Sequence, residues 1–263
     1  MSDVEYSPNE IMTVAAARKL QNSTVCFVGI GLPSAAANLA RLTHAPEVVL
    51  IYESGTIGTK PHVLPLSIGD GELAETADTV VSVPEIFRYW LQAGRVDVGF
   101  LGAAQIDKFG NINTTVIGGT YDAPRVRLPG AGGAPEIATA AKEVTIILKH
   151  SSRAFVEKLD FVTSSGYVDE PAREGQRAPR GRGPTTVISD LGVMNSDPAT
   201  RELILTALHP GIALEQVRSA TSWKLKVAPA LGVTSKPTAC ELSVLRDLYA
   251  RTAAAHGTAD RGE

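Results

Sequence analysis

Glu53 is the acidic residue of this sequence that is best placed for chemistry. It follows an apolar, β-branched run from Val48 to Tyr52, which is typical of a buried strand. Ser54 and Gly55 come next, so the acid stands where a strand opens into a glycine-containing loop. Ligands of open α/β sheets bind at the carboxyl ends of the strands. We therefore expect Glu53 to take part in the chemistry of this protein.

A glycine cluster at residues 130–133 is the second candidate for chemistry. Its sequence is Gly-Ala-Gly-Gly, and a helix is predicted to start just after it, near Pro135. Consecutive glycines leave backbone N–H groups unobstructed, which is what an oxyanion site requires. A flexible turn is the alternative interpretation.

Three side-chain amides occur among further glycines: Gln105, Asn111 and Asn113. They follow an apolar run, residues 96–101, that is typical of a strand. Amides can bind a carboxylate or an acyl oxygen without neutralising a nearby acid. They can equally satisfy the backbone of a turn, as Asn commonly does.

Gly29-Ile30-Gly31 follows another apolar run and has three possible interpretations. The third glycine of a dinucleotide-binding fingerprint is missing and Pro33 follows, so a nucleotide site is disfavoured. A tight strand-to-helix turn fits better. Its backbone N–H groups could also face a ligand at the same sheet edge.

Two arginines, Arg125 and Arg127, flank Val126 and point to one face if the segment is extended. Such a pair can bind a carboxylate through bidentate hydrogen bonds. Exposed ion pairs are the commoner use of such residues.

Composition limits the function classes. The 263 residues are 44 % hydrophobic and 20 % charged, with a net charge of −3, which disfavours nucleic acid as a partner. The first residues resemble no secretion signal, and no apolar run approaches a membrane span, so we expect a cytoplasmic protein. Cys26 and Cys240 match no zinc motif, and we expect no metal.

Local patterns predict a single α/β domain over residues 1–263, with an open, mostly parallel sheet, flanking helices and smaller β-rich excursions. Ser7, Pro8 and Glu10 form a helix-start signature. Further helices are predicted at 34–42, 84–91, 214–220 and 238–252, strands at 24–28, 48–52, 96–101, 144–148, 185–189 and 203–208, a long loop at 53–72, a surface loop at 169–184 and a frayed tail at 255–263.

Five segments, taken in this order and spacing, resemble the β subunit of class I coenzyme A transferases. The Glu-Ser-Gly form of the second segment resembles the glutaconate-type branch of that family. The matching segments are Gly29-Ile30-Gly31-Leu32-Pro33, Glu53-Ser54-Gly55, Gly102-Ala103-Ala104-Gln105-Ile106-Asp107, Gly110-Asn111-Ile112-Asn113 and Gly130-Ala131-Gly132-Gly133-Ala134.

This resemblance implies a CoA-transferase-like fold, a partner α subunit in an α2β2 assembly, and an active site where the subunits meet. It implies CoA as a thioester substrate, with no permanently bound cofactor, and a dicarboxylic acid as acceptor. Glu53 would be the nucleophile, Gly132 and Gly133 the oxyanion hole, and Gln105 would orient Glu53 or the acyl group. Substrate contacts are expected from Gly29, Gly31, Ser54, Gly55, Gly102, Asn111, Asn113, Arg125 and Arg127.

Three other functions stay open at this point. One is an acyl-CoA thioester or ring-opening hydrolase on the same scaffold. Another is a sugar-phosphate isomerase, which would need a Lys or Asp near a phosphate site; Lys60 is the only lysine close to Glu53 in the sequence. The third is a structural subunit whose partner carries the active residues, which the presence of Glu53 disfavours.

Overall fold

A computed structural model describes residues 4–166, 181 and 183–257 of the chain. The strands are β1 (Val25–Val28), β2 (Val49–Ile51), β3 (Thr56–Ile57), β4 (Thr79–Val80), β5 (Val98–Gly102), β6 (Gln105–Ile106), β7 (Ile112–Asn113), β8 (Val116–Gly119), β9 (Pro124–Arg127), β10 (Glu143–Ile147), β11 (Pro184–Ile188), β12 (Gly192–Ser196), β13 (Leu203–Leu208) and β14 (Lys226–Val233). The helices are α1 (Pro8–Ala17), α2 (Leu32–Leu42), α3 (Gly71–Glu75), α4 (Val83–Glu85), which continues as a π-helical segment (Ile86–Leu91), α5 (Ala134–Ala140), α6 (Leu214–Ser219) and α7 (Ala239–His256).

Ten strands form one sheet in the order β14-β13-β12-β11-β10-β5-β1-β2-β3-β4. The five central strands, from β11 to β2, run parallel to one another. The antiparallel pairs lie toward the two ends of the sheet. The predicted fold class is therefore confirmed.

The chain changes direction across the sheet at β1. From β1 it crosses through α2 to β2 on one side, and it later returns to β5 on the other side, parallel to β1 in both pairs. Two loops that leave the same sheet edge in opposite directions create a crevice, which is where open α/β sheets bind ligands.

Both faces of the central sheet are buried. Leu50 and Phe100 pack into a core with α1, α2 and α7. Their neighbours Ile51 and Leu101 pack on the opposite face with α5, α6 and the π-helical segment. Successive strand residues point to opposite faces, so a strand covered on both sides is apolar throughout. This explains the continuous apolar runs of the sequence.

The helix-start signature predicted at Ser7 is confirmed, and the helix predicted at 238–252 begins with one of the same kind. The Ser7 hydroxyl accepts from the Glu10 N–H, and the Glu10 carboxylate accepts from the Ser7 N–H. Thr238 and Glu241 form the same reciprocal pair at the start of α7. Each pair satisfies two N–H groups that have no partner inside the helix.

Several predicted boundaries are wrong. Residues 53–72 are not one loop, because β3 and the start of α3 lie within them, and residues 86–91 form a π-helix rather than an α-helix. Sequence periodicity did not reveal β3, because two residues are too few to show alternation.

Most of the predicted loop at 169–184 lies outside the described residues, and Pro184 is the first residue of β11. Of the predicted tail, α7 reaches His256, and residues 258–263 lie outside the described part. No helix in the described ranges is both long and apolar enough to cross a membrane.

His150 is a buried titratable residue just beyond β10. Its ring stacks on Phe155 with the ring centroids 3.6 Å apart. Nδ1 lies 3.0 Å from the Ser189 hydroxyl and Nε2 lies 2.9 Å from the Thr221 hydroxyl. Burial lowers the pKa of His150 from 6.5 to about 4, because water cannot hydrate the positively charged form of the buried ring. Burial also lowers the pKa of His209.

Acid should destabilise the fold through His150. Its pKa is lower in the folded state than in the unfolded state, so its contribution is complete above pH 6.5 and is lost as the pH falls toward 4. The full loss corresponds to about 3 kcal/mol, at roughly 1.4 kcal/mol per pKa unit. Urea unfolding at a series of pH values measures it. His150→Gln should flatten the slope between pH 6.5 and 4 by about one proton relative to the unsubstituted protein. An unchanged slope in this variant would contradict the assignment.

Candidate functional site

A cavity of about 430 Å³ lies at the carboxyl ends of β1 and β5, where the strand order reverses. Residues 27–30 and 101–104 form its sheet side, and residues 128–134 form the facing wall. Most of the lining is apolar or glycine. Among the described residues that line it, Glu53 is the one with an ionisable side chain. The cavity therefore presents one carboxylate in largely apolar surroundings.

The turn that presents Glu53 is a tight hairpin connection between β2 and β3. The Gly55 N–H donates to the Tyr52 carbonyl (3.0 Å), and the Tyr52 N–H donates to the Thr56 carbonyl (3.1 Å). Gly55 has a φ of +97°, a conformation that L-residues rarely adopt. A three-residue hairpin loop that ends in such a glycine is common between antiparallel strands. Gly55 thus shapes the turn that places Glu53 at the sheet edge.

Gly132 and Gly133 lie directly beside the Glu53 carboxylate. A Cβ atom added to Gly132 would lie 3.5 Å from Glu53 Oε2, and one added to Gly133 would lie 3.4 Å from Glu53 Cδ. Gly132 has a φ of +48°, which favours glycine. Within the described part of the chain, the Glu53 carboxylate makes no hydrogen bond. The acid and the two glycines predicted as a site are therefore brought together.

Thr114, which the sequence analysis did not single out, holds the glycine segment at 130–133 in place. Its carbonyl accepts from the Gly130 N–H (2.8 Å), and its hydroxyl donates to the Gly130 carbonyl (2.7 Å). Next to it, the Thr115 carbonyl accepts from the Leu128 N–H (2.9 Å). The only sequence signal that could have identified Thr114 was its position directly after Asn113. Thr114 also lines the cavity.

Gln105 and Asn113 are used for structure. The Gln105 amide donates to Asp160 (2.9 Å), and its oxygen accepts from the Asn113 amide (2.8 Å). The Asn113 oxygen accepts from the N–H of Thr115 (2.9 Å). Neither side chain lines the cavity. The structure does not bring Gln105 to Glu53, because its amide is already bonded to Asp160 and Asn113.

Asn111 likewise supports a turn. Its amide donates to the Asp107 carboxylate (2.8 Å), and its oxygen accepts from the Gly166 N–H (2.8 Å). It does not line the cavity. Of the two interpretations of these amides, satisfaction of turn backbone describes Asn111 and Asn113.

The arginine pair lies on β9, outside the cavity lining. Arg127 donates to the Tyr121 carbonyl (2.6 Å), and its guanidinium lies 4.9 Å from the centre of the Tyr121 ring. Arg125 is exposed and packs against Gly118. The two arginines therefore lie on an exposed hairpin, and the structure does not bring either of them to Glu53.

The other predicted contacts divide by position. Gly29 and Gly102 line the cavity, whereas Gly31 begins α2 next to it as the N-cap residue. The Ser54 hydroxyl is buried and makes no hydrogen bond to any residue that the structure describes. A buried hydroxyl without a partner is uncommon, and this one is adjacent to Glu53.

Comparison with known proteins gives matches over most of the chain. A family model described as coenzyme A transferase matches residues 9–220. The chain is 65 % identical to one subunit of the 3-oxoadipate CoA-transferase of Pseudomonas knackmussii, over 96 % of each chain. It is 36 % identical to the corresponding subunit of the glutaconate CoA-transferase of Acidaminococcus fermentans, over 86 % of each. The crystal structure of glutaconate coenzyme A-transferase from the same organism matches with a TM-score of 0.83 and 31 % identity, over 92 % of this chain and 94 % of that one.

Gly55→Ala should strongly destabilise the Glu53 turn. The added Cβ would overlap the carbonyl oxygen of Val81, and the backbone would be strained at φ +97°. We expect a loss of about 3 kcal/mol in the free energy of unfolding, measured by urea titration.

Gly211→Ala is the matched control for strain alone, because Gly211 has a φ of +84° and no atom within 4 Å of an added Cβ. It should cost about 1 kcal/mol. Equal losses in the two variants would show that the contact with Val81 does not hold the turn.

Proposed function

We propose a function for this chain that starts from its family, because the chain belongs to the coenzyme A transferases. It is the β subunit of an enzyme that moves CoA from succinyl-CoA to a dicarboxylic acid such as 3-oxoadipate. The observation that carries the proposal is the position of Glu53, with its carboxylate unbonded in the described structure and beside two glycines in a largely apolar cavity. The 65 % identity to a 3-oxoadipate CoA-transferase chain, over nearly the whole length of both, supports the substrate class.

In the proposed reaction, the Glu53 carboxylate attacks the thioester carbonyl of succinyl-CoA. A C–O bond forms, the C–S bond breaks, and the products are a mixed anhydride on Glu53 and free CoA thiolate. The thiolate then attacks the Glu53 carbonyl of the anhydride and releases succinate, which leaves CoA as a thioester on Glu53. The acceptor acid takes the CoA by the same two steps in reverse order, and the Glu53 carboxylate is regenerated.

The surroundings of Glu53 suit this chemistry. A carboxylate is a weak nucleophile, so the tetrahedral intermediates need hydrogen-bond donors, and the N–H groups of Gly132 and Gly133 are the donors we assign. Binding of the CoA body would hold the reacting atoms together. The apolar lining would exclude water, which would otherwise hydrolyse the anhydride.

A second polypeptide is part of this proposal. The relatives with 65 % and 36 % identity are each named as one subunit of their enzyme. We propose an α subunit that meets this chain at the open side of the cavity, in an α2β2 assembly. Gly29 and Gly102, at the ends of β1 and β5, would contact the substrate from this chain. CoA takes part as a substrate and is not held permanently.

Glu53→Gln should abolish CoA transfer while leaving the fold unchanged, because an amide of the same shape cannot form the anhydride. With the α subunit present, we expect transfer from succinyl-CoA to 3-oxoadipate to fall at least about 10³-fold. In the unsubstituted enzyme, succinyl-CoA followed by hydroxylamine should convert Glu53 to a hydroxamate, which peptide mass spectrometry detects.

The control for this experiment is Glu157→Gln, an exposed acid outside the cavity, which should keep full activity. An unmodified Glu53 peptide in an enzyme that transfers CoA would exclude the covalent mechanism. Release of CoA without an acceptor acid would instead indicate a hydrolase.

A further inference from the structure

Gly133 is a glycine that the backbone does not require. Its φ of −84° and ψ of 0° match the second central position of a type I turn, which does not require glycine. The obstacle to a side chain is the ring of Phe87. A Cβ atom added to Gly133 would lie 2.6 Å from Phe87 Cζ and 3.0 Å from Cε1, closer than real contacts allow. The same atom would lie 3.4 Å from Glu53 Cδ, an ordinary contact distance.

Phe87 is held in this position from two sides. On one side its ring packs against Phe27, which lines the cavity, with the ring centroids 5.8 Å apart. On the other side it meets Gly133, the residue that precedes α5. The ring therefore fills the space between β1 and the start of α5.

The local backbone explains how Phe87 reaches this space. The Gln92 N–H donates to the Phe87 carbonyl (2.8 Å), which is the i+5 bond of a π-helix. The Gln92 side chain donates to Glu136 on α5 (3.1 Å). The π-helical segment is thus attached to the helix that directly follows the two glycines, and π-helical turns frequently occur at functional sites.

The geometry points to Phe87 as a positioning residue that sets the distance between the Gly132–Gly133 backbone and the Glu53 carboxylate. This inference rests on the proposed function, because it assigns a role to that distance. Oxyanion donors must lie about 2.7–3.1 Å from the developing charge, so a rigid ring behind them can control the rate. Phe87 itself acts through Gly133.

Phe87→Leu removes the ring atoms that contact Gly133. With both subunits assembled, we expect kcat to fall about 10-fold or more while the KM for succinyl-CoA changes less than about 2-fold. The rate at which succinyl-CoA acylates Glu53 should fall by the same factor as kcat. Tyr89→Leu is the matched control, because Tyr89 belongs to the same π-helical segment but is 57 % exposed. It should keep the kcat of the unsubstituted enzyme.

A size exchange tests the contact directly. Gly133→Ala should lower kcat about 10²-fold, because the new methyl group meets the Phe87 ring and displaces the segment. Adding Phe87→Leu removes those ring atoms, so the double variant should be as active as Phe87→Leu alone. A double variant in which the two losses multiply would overturn the inference, as would full kcat in Phe87→Leu.

Thermal unfolding separates this inference from the proposed function. It is measured on the unsubstituted protein, the Phe87→Leu and Gly133→Ala variants, and the double variant. The lowering of Tm in the double variant should be smaller than the sum of the two single effects, since the clash is relieved. If the unsubstituted enzyme transfers no CoA but the unfolding data show this coupling, the proposed function fails and the Phe87–Gly133 contact stands. If transfer occurs and Phe87→Leu leaves kcat unchanged, the inference about positioning fails.

Discussion

The parallel pairing of β1 with β2 on one side and β5 on the other is the constraint on which the rest of the site depends. Because β1 is central, the loops that follow β1 and β5 leave the same sheet edge in opposite directions and open a crevice between them. The turn after β2 reaches the same edge and carries Glu53 into that crevice. Apolar side chains on both faces of the sheet hold this arrangement with little freedom.

Two close approaches then determine the fine geometry, and both need a glycine. At Gly55, the backbone passes so near the Val81 carbonyl that a Cβ would overlap it, and this closes the turn that carries Glu53. At Gly133, the Phe87 ring occupies the place of a side chain. In both cases the absent side chain allows another group to pack against the backbone, and that group fixes where the backbone lies. The backbone of Gly132 and Gly133 lies beside the Glu53 carboxylate, with no hydrogen bond to it in the described part of the chain.

The amide-rich segment contributes to the site indirectly. Gln105 and Asn113 bond to each other, and Asn113 accepts from the backbone of Thr115. Thr114 and Thr115, in turn, bond the backbone at Gly130 and Leu128. A network whose members are all satisfied is rigid, whereas a partly satisfied one is costly. The amides therefore stabilise the segment that supports residues 128–134 of the cavity wall. This role accounts for their presence although they do not contact Glu53.

The amino-acid sequence by itself determined the features that depend on near neighbours in the chain. These include the position of Glu53 after a buried strand, the helix starts at Ser7 and Thr238, and the glycine cluster at 130–133, because strand burial, capping and turns leave local patterns. Tertiary structure alone decided that Val81 packs on Gly55, that Gln105 bonds to Asp160, and that Phe87 packs on Gly133. Those contacts join residues far apart in sequence, and local periodicity carries no record of which distant groups will fill the same space.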